Sequence, residues 1–168
     1  MNRDEALSFL RENQPLADVP GPGLLQRFRE TTRYFYEHPH PDCIPLLINA
    51  FGLFEDLTLY EALNATLQRF PVVLVLPHLR DGCRARMPSI RLASADAALH
   101  FPHPSLVAPL VELLAEGSPI IRLTAVSALE QIGGEAVLEH ARQALDGETD
   151  EDVIQVLKDI LGLESDLE

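Results

Sequence analysis

The sequence predicts an all-α fold, a solenoid in which helical hairpins stack along a chain of 168 residues. The first observation is a proline that recurs every 32 residues, at Pro45, Pro77 and Pro109. The second is the match between ADAAL at 95–99 and AVSAL at 125–129, which lie 30 residues apart. Such a period with two helices per unit is typical of repeat proteins, whose units bury their apolar faces against one another. The recurring prolines either bend the first helix of each unit or lie in its first turn at little cost.

The clearest unit spans residues 104–134. Its first helix has apolar residues at helical spacing, namely Val107, Leu110, Val111, Leu113 and Leu114. The apolar and small residues of its second helix are expected to face inward: Ile121, Leu123, Ala125, Ala128, Leu129 and Ile132. In the turn between them, Gly117 can adopt the left-handed conformation, Ser118 can cap the second helix and Pro119 suits its first turn. Gly133 and Gly134 end the unit.

This hairpin resembles a HEAT repeat of the short bacterial HEAT-like type, also called the PBS-lyase type. The resemblance is carried by Pro109, by Glu116 in the turn, and by the segments 121–125, 128–129 and 132–134. It implies a right-handed α-solenoid of about four HEAT-like hairpins. Because HEAT-like families are mostly binding scaffolds, it also implies a protein partner.

The rest of the chain is predicted to follow the same plan behind an N-terminal pair of helices, at 2–13 and 24–37. That pair would cover the open end of the stack, since the terminal units of a solenoid need a different outer face. We expect one domain over residues 1–168, made of a cap, four repeats and an acidic tail. The cap spans residues 1–38, the four repeats span 39–70, 71–101, 104–134 and 135–163, and the tail spans 164–168.

The net charge of −13 is concentrated at the C-terminal end. From Glu130 onward there are 12 acidic and 2 basic residues, a net of −10. Such a field repels phosphates, so we expect no nucleic acid partner, and a protein partner would be basic. A solvated end that aids solubility is the alternative explanation. No apolar run approaches the roughly 20 residues of a membrane span, and the charged N-terminus does not look like an export signal, so we expect no membrane contact and a cytoplasmic location.

The sequence offers no motif for catalysis, and we expect neither catalytic residues nor a cofactor nor a metal. The six histidines lack the helical three- or four-residue pairing of metal ligands, apart from His100 and His103, which are separated by Pro102. Cys43 and Cys83 fall in different repeats and outside any paired zinc motif. The chain has no phosphate-binding glycine loop and no nucleophile elbow.

The residues predicted to contact a partner are polar or charged positions in the second helices and in the turns. They are Tyr60, Asn64, Gln68, Arg84, Arg86, Arg91, Arg122, Glu148, Asp150, Glu151 and Asp152. The arginines of the second repeat could instead pair with nearby acids, such as Asp56, Asp81 or Glu116. In the acidic turn, Thr149 or Asp150 could instead simply cap the following helix.

Three functions are compatible with these observations. The first is a non-enzymatic scaffold or adaptor for protein–protein interaction. The second is an acidic immunity or antitoxin protein that masks a basic toxin, because opposite charge speeds association. The third, implied only by the resemblance to the PBS-lyase type repeat, is a subunit similar to phycobilin lyases. The oligomeric state is left open by the sequence.

Overall fold

The computed structural model describes residues 1–16, 20–50 and 57–163. Within these ranges the protein contains ten α-helices, one 3₁₀ turn at Pro104–Leu106 and no strand, which confirms the all-α prediction. The helices are α1 Arg3–Glu12, α2 Pro22–Glu37, α3 Cys43–Asn49, α4 Leu57–Leu67, α5 Val72–Cys83, α6 Pro88–Ala98, α7 Val107–Leu113, α8 Pro119–Ile132, α9 Glu135–Leu145 and α10 Glu151–Leu161. The acidic tail predicted at 164–168, and Asp56, lie outside the described residues.

The chain forms two compact units, residues 1–94 and 95–168. In the first unit, α1 packs against both α2 and α3, α2 packs against α4, and α3 packs against α5. First helices thus contact first helices, and second helices contact second helices. The N-terminal pair α1–α2 therefore stacks on the pair α3–α4.

The first helix begins with a capping box. The Asn2 side chain accepts a hydrogen bond from the Glu5 backbone N–H at 3.0 Å, and the Glu5 carboxylate accepts one from the Asn2 N–H at 3.0 Å. Two backbone donors that a helix start leaves without a partner are satisfied in this way. The apolar face that follows includes Phe9, whose ring lies 6.5 Å from that of Phe28 on α2.

The second unit contains the hairpins α7–α8 and α9–α10. Here α8 packs against α10 and α7 packs against α9. The layer between them is apolar, with buried side chains of Val126, Ala141, Val153 and Leu157 at its centre. Neither hairpin could cover its apolar face alone, so the two must pack together.

Helix α8 shows the face that its sequence predicts. Ile121, Ala125, Ala128 and Leu129 are buried, whereas Leu123 and Ile132 are half-buried. Gly133 and Gly134 end the helix with φ angles of 63° and 91°, a region that glycine enters freely.

The turn that precedes α8 differs from its prediction in two respects. Pro119 does open the helix, and Ser118 occupies the N-cap position, but the Ser118 side chain caps none of the described backbone amides. The left-handed conformation predicted for Gly117 is wrong, because positive φ angles among the described residues are confined to Gly133, Gly134 and Gly162.

Both explanations of the recurring prolines apply, at different repeats. Pro45 and Pro109 lie in the first turns of α3 and α7, where the proline nitrogen has no helical hydrogen bond to lose. Pro77 lies inside α5, where it does remove a helical hydrogen bond.

A close contact between helices depends on Gly82 in the last turn of α5. A Cβ atom at this position would lie 3.0 Å from the Ser94 Cβ on α6 and 3.2 Å from the Ile48 Cγ2 on α3. Ser94 is fixed, because its Oγ donates to the Ile90 carbonyl at 2.7 Å. A methyl group at Gly82 therefore has no room without movement of a buried neighbour.

We predict that Gly82→Ala lowers the free energy of unfolding by about 1 to 3 kcal/mol, because crowding outweighs the gain in helix propensity of about 1 kcal/mol. Gly23→Ala is the matched control, since a Cβ there would have no described atom within 4 Å and the position is helical. Urea unfolding measures both. Equal stabilisation by the two substitutions would show that α5 and α6 do not approach closely at Gly82.

We predict that Ala128→Glu costs more than about 3 kcal/mol, because Ala128 is fully buried and a carboxylate there would be neither solvated nor paired. Ala136→Glu on α9 is the control, since Ala136 is exposed. Thermal unfolding followed by circular dichroism should show a large fall in Tm for the first variant and little change for the second. An unchanged Tm for Ala128→Glu would contradict the assigned face of α8.

Candidate functional site

A bidentate ion pair joins the two hairpins of the second unit. Arg122 Nε donates to Glu148 Oε2 at 2.7 Å, and Arg122 Nη2 donates to Glu148 Oε1 at 2.8 Å. Arg122 belongs to α8, whereas Glu148 belongs to the turn between α9 and α10. The two side chains are only 12% and 7% exposed, so the pair is shielded from water and from salt.

Both partners also hold the backbone of their own or a neighbouring turn. Arg122 Nη1 donates to the main-chain carbonyl of Glu116 at 2.8 Å, across the turn that precedes α8. Glu148 Oε1 accepts from the backbone N–H groups of Thr149 and Asp150 at 2.8 and 3.0 Å. The Arg122 guanidinium thus holds the turn before α8 through a carbonyl, although it cannot accept from the amides that a Ser118 cap would have satisfied.

These contacts favour the charged forms of both residues. The hydrogen bonds from Arg122, together with those from the Thr149 and Asp150 amides, lower the pKa of Glu148 to about 2 although burial acts in the opposite direction. The hydrogen bond to Glu148 raises the pKa of Arg122. The carboxylate is therefore ionised at any physiological pH, and its charge is balanced within the structure.

A groove of about 540 Å³ adjoins this ion pair in the second unit. It lies between α7 and α9 and is also lined by the turns that follow these helices, by Arg122 of α8 and by Val153 and Leu157 of α10. Its apolar lining comes from Val111, Leu114, Ala115, Ala144, Val153 and Leu157. The polar part of its wall comes from Glu116, Arg122, His140, Gln143, Glu148 and Thr149.

Arg91 repeats one part of the Arg122 arrangement in the first unit. Its Nη1 donates to the carbonyl of Ala85 at 2.8 Å and to that of Arg86 at 2.9 Å. Both arginines are the fourth residue of a helix that begins with proline, and both donate to a carbonyl six residues earlier. In the sequence, the motif Pro-x-Ile-Arg occurs both at 88–91 and at 119–122 and could have indicated this shared arrangement.

The residues predicted to contact a partner are divided between the two units. In the first unit, Gln68, Arg84 and Arg86 are exposed, and Tyr60 and Arg91 are half-buried. Asn64 is only 6% exposed, so it has little surface to offer. Arg122 and the four acidic residues of 148–152 belong to the second unit.

The acidic turn contains two kinds of carboxylate. Glu148 is held by Arg122, and Asp150 caps α10, with Oδ1 accepting from the backbone N–H groups of Asp152 and Val153 at 3.2 and 3.3 Å. The side chains of Glu151 and Asp152 are exposed in the first turn of α10. The capping role considered for Asp150 is confirmed, and the surface charge of this turn comes mainly from Glu151 and Asp152.

The two buried cysteines are poorly suited to act as nucleophiles. Burial raises the pKa of the Cys43 thiol to about 12, so the thiolate that nucleophilic chemistry needs is scarce at neutral pH. Cys83 is buried as well.

In the described part of the chain, no three His, Cys, Asp or Glu side chains come together as metal ligands would. Every helix within residues 1–16, 20–50 and 57–163 is too short or too polar to span a bilayer.

The Glu148 pKa generates a prediction about acid stability. A carboxyl group whose pKa falls from 4.5 to about 2 on folding stabilises the fold above pH 4.5, and this stabilisation is lost as the pH falls towards 2. We expect Glu148→Gln to cost about 2 kcal/mol at pH 7 and to flatten the loss of stability between pH 4.5 and 2. Urea unfolding over this pH range measures the effect, with exposed Glu130→Gln as control. If the free energy of unfolding depends on pH in the same way for wild type and Glu148→Gln, this prediction is contradicted.

Comparison with known proteins agrees with this architecture. A family model described as HEAT repeats matches residues 76–162, just over half of the chain, from the middle of α5 to the end of α10. The first predicted repeat, at 39–70, lies outside this match. No curated protein matches the chain. HEAT repeats generally mediate protein–protein interaction. On the extent of this match and on its all-helical hairpins, the chain belongs to the HEAT repeat family.

Proposed function

We propose that this protein is a non-enzymatic scaffold that binds a basic protein partner through its second unit. The observation that carries the proposal is the distribution of charge. Residues 1–94 contain 11 acidic and 10 basic residues, a net of −1, whereas residues 95–168 contain 15 acidic and 3 basic residues, a net of −12. Nearly all of the net charge of the protein therefore belongs to one unit.

The surface of this unit offers many carboxylates and few cations. Of its three basic residues, Arg122 is held by Glu148, which leaves Arg142 and Lys158. Among the described residues, the carboxylates exposed on its helices and turns are those of Glu112, Glu130, Glu135, Glu139, Asp146, Glu151, Asp152 and Asp159. A surface of this kind attracts basic proteins, accelerates their association and repels nucleic acid.

The same charge favours a second candidate, an acidic inhibitor that masks a basic toxin. The two functions differ in what happens to the partner. A scaffold leaves the activity of its partner intact or joins it to a third protein, whereas an inhibitor abolishes the activity at one-to-one stoichiometry. Once a partner has been captured from the source cell and purified, titration of its activity with this protein distinguishes the two.

We predict that the double variant Glu151→Gln and Asp152→Asn slows association with that partner by about two- to fivefold at low salt. Dissociation should change little, because exposed charges act mainly on the encounter. Glu148 and Asp150 are left intact, since both hold the turn. The measurement is binding kinetics at several salt concentrations.

The matched control for this measurement is the double variant Glu61→Gln and Asp81→Asn, which removes two exposed carboxylates from the first unit. It should associate at the rate of the wild type. Association that is equally fast for all three proteins and insensitive to salt would contradict the proposal that the charge of the second unit recruits the partner.

A further inference from the structure

We propose that the groove between α7 and α9 binds an unbranched basic segment of the partner, with one large aliphatic side chain inserted and lysines or arginines on either side of it. The proposal rests on the function proposed above and names the place and the chemistry of the contact. The sequence predicted contacts on the second helices and in the turns, and two of the residues named there, Arg122 and Glu148, line this groove.

The floor of the groove is suited to an aliphatic side chain. Val153 and Leu157 are almost fully buried below it, and Leu114 and Ala144 are half-buried in its walls. The volume of about 540 Å³ is larger than one side chain needs, so a short stretch of backbone can enter with it. An inserted leucine would replace water against these apolar groups, which is the largest favourable contribution that such a site offers.

The rim of the groove is suited to positive charge. Glu139 on α9 and Asp146, the residue that follows the last turn of α9, are both exposed. They lie four residues before and three residues after Gln143, which lines the groove. This spacing places both carboxylates on the same side of the helix as Gln143. Arg142 is exposed beside them, but the surrounding unit has a net charge of −12.

The groove is also shaped before a partner arrives. The ion pair of Arg122 and Glu148 lies in its wall and joins α8 to the turn after α9. Because Glu148 is satisfied by Arg122 and by the Thr149 and Asp150 amides, it needs no cation from the partner. A site that is ordered in advance loses less conformational entropy on binding.

The test uses the full-length ¹⁵N-labelled protein and three capped synthetic peptides. The first peptide is Gly-Lys-Lys-Leu-Lys-Lys-Gly, the second replaces its leucine with serine, and the third replaces its lysines with glutamates. Titration followed by NMR should shift the amide signals of Ala115, Ala144 and Gly147 with the first peptide. The serine peptide should bind at least about tenfold more weakly, because the aliphatic contact is lost, and the glutamate peptide should not bind.

Two substitutions of alanine by arginine on the same helix provide the matched comparison. Ala144→Arg fills the groove and should weaken the first peptide at least about tenfold, whereas Ala136→Arg, at an exposed position outside the lining, should not. If Ala144→Arg fails to fold, Gln143→Lys at the exposed rim serves instead and should also weaken binding.

The proposal is overturned if the leucine peptide shifts no groove amide at millimolar concentration. It is also overturned if leucine and serine peptides bind equally, or if folded Ala144→Arg binds as well as Ala136→Arg. These outcomes are distinct from failure of the proposed function. If a purified basic partner forms a complex but protects amides elsewhere on the second unit, the proposed scaffold function stands and the groove proposal is refuted.

Discussion

The second unit depends on the ion pair between Arg122 and Glu148. The apolar layer around Val126 and Leu157 drives the hairpins together, but apolar contact is non-directional and tolerates sliding. The bidentate pair is directional, because a planar guanidinium and a carboxylate fit in one geometry. Since each partner also binds backbone at a turn, one contact fixes α8, the turn before it and the turn after α9.

This arrangement also determines which charges are available for recognition. Glu148 and Asp150 hold the turn before α10, so the field of the acidic turn comes from Glu151 and Asp152. The rest of the field comes from exposed carboxylates spread over α7, α8, α9 and α10 and the turn after α9. The Glu148 carboxylate is thus shielded from salt within its ion pair, whereas the exposed charges of Glu151 and Asp152 are screened by salt.

The fold could be predicted from the sequence because apolar periodicity and proline spacing report directly on helices and repeats. The buried face of α8 follows from that periodicity alone, as Ala125 and Ala128 show. The division into two units was not predicted, because the repeats before and after the boundary have the same local sequence pattern.

The site was harder to predict because it depends on contacts between distant turns. Arg122 and Glu148 are separated by 26 residues, and the sequence presents both simply as polar positions. Asn64 was taken as a surface residue but is buried, because a single polar residue on an apolar helix does not reveal how deeply it lies. Two sequence signals pointed to the two sides of the pair: Pro-x-Ile-Arg at 88–91 and 119–122, and glutamate at 116 and again at 148, at the period of the repeat.

The measurement that tests this account most directly is a double-mutant cycle on the ion pair. The free energy of unfolding is measured in urea for wild type, Arg122→Met, Glu148→Gln and the double variant. If the pair holds the two hairpins together, the stability losses of the two single variants should not sum to that of the double variant. The coupling free energy should then be at least about 1 kcal/mol. A coupling free energy near zero would show that the apolar layer alone fixes the hairpins and would contradict the account.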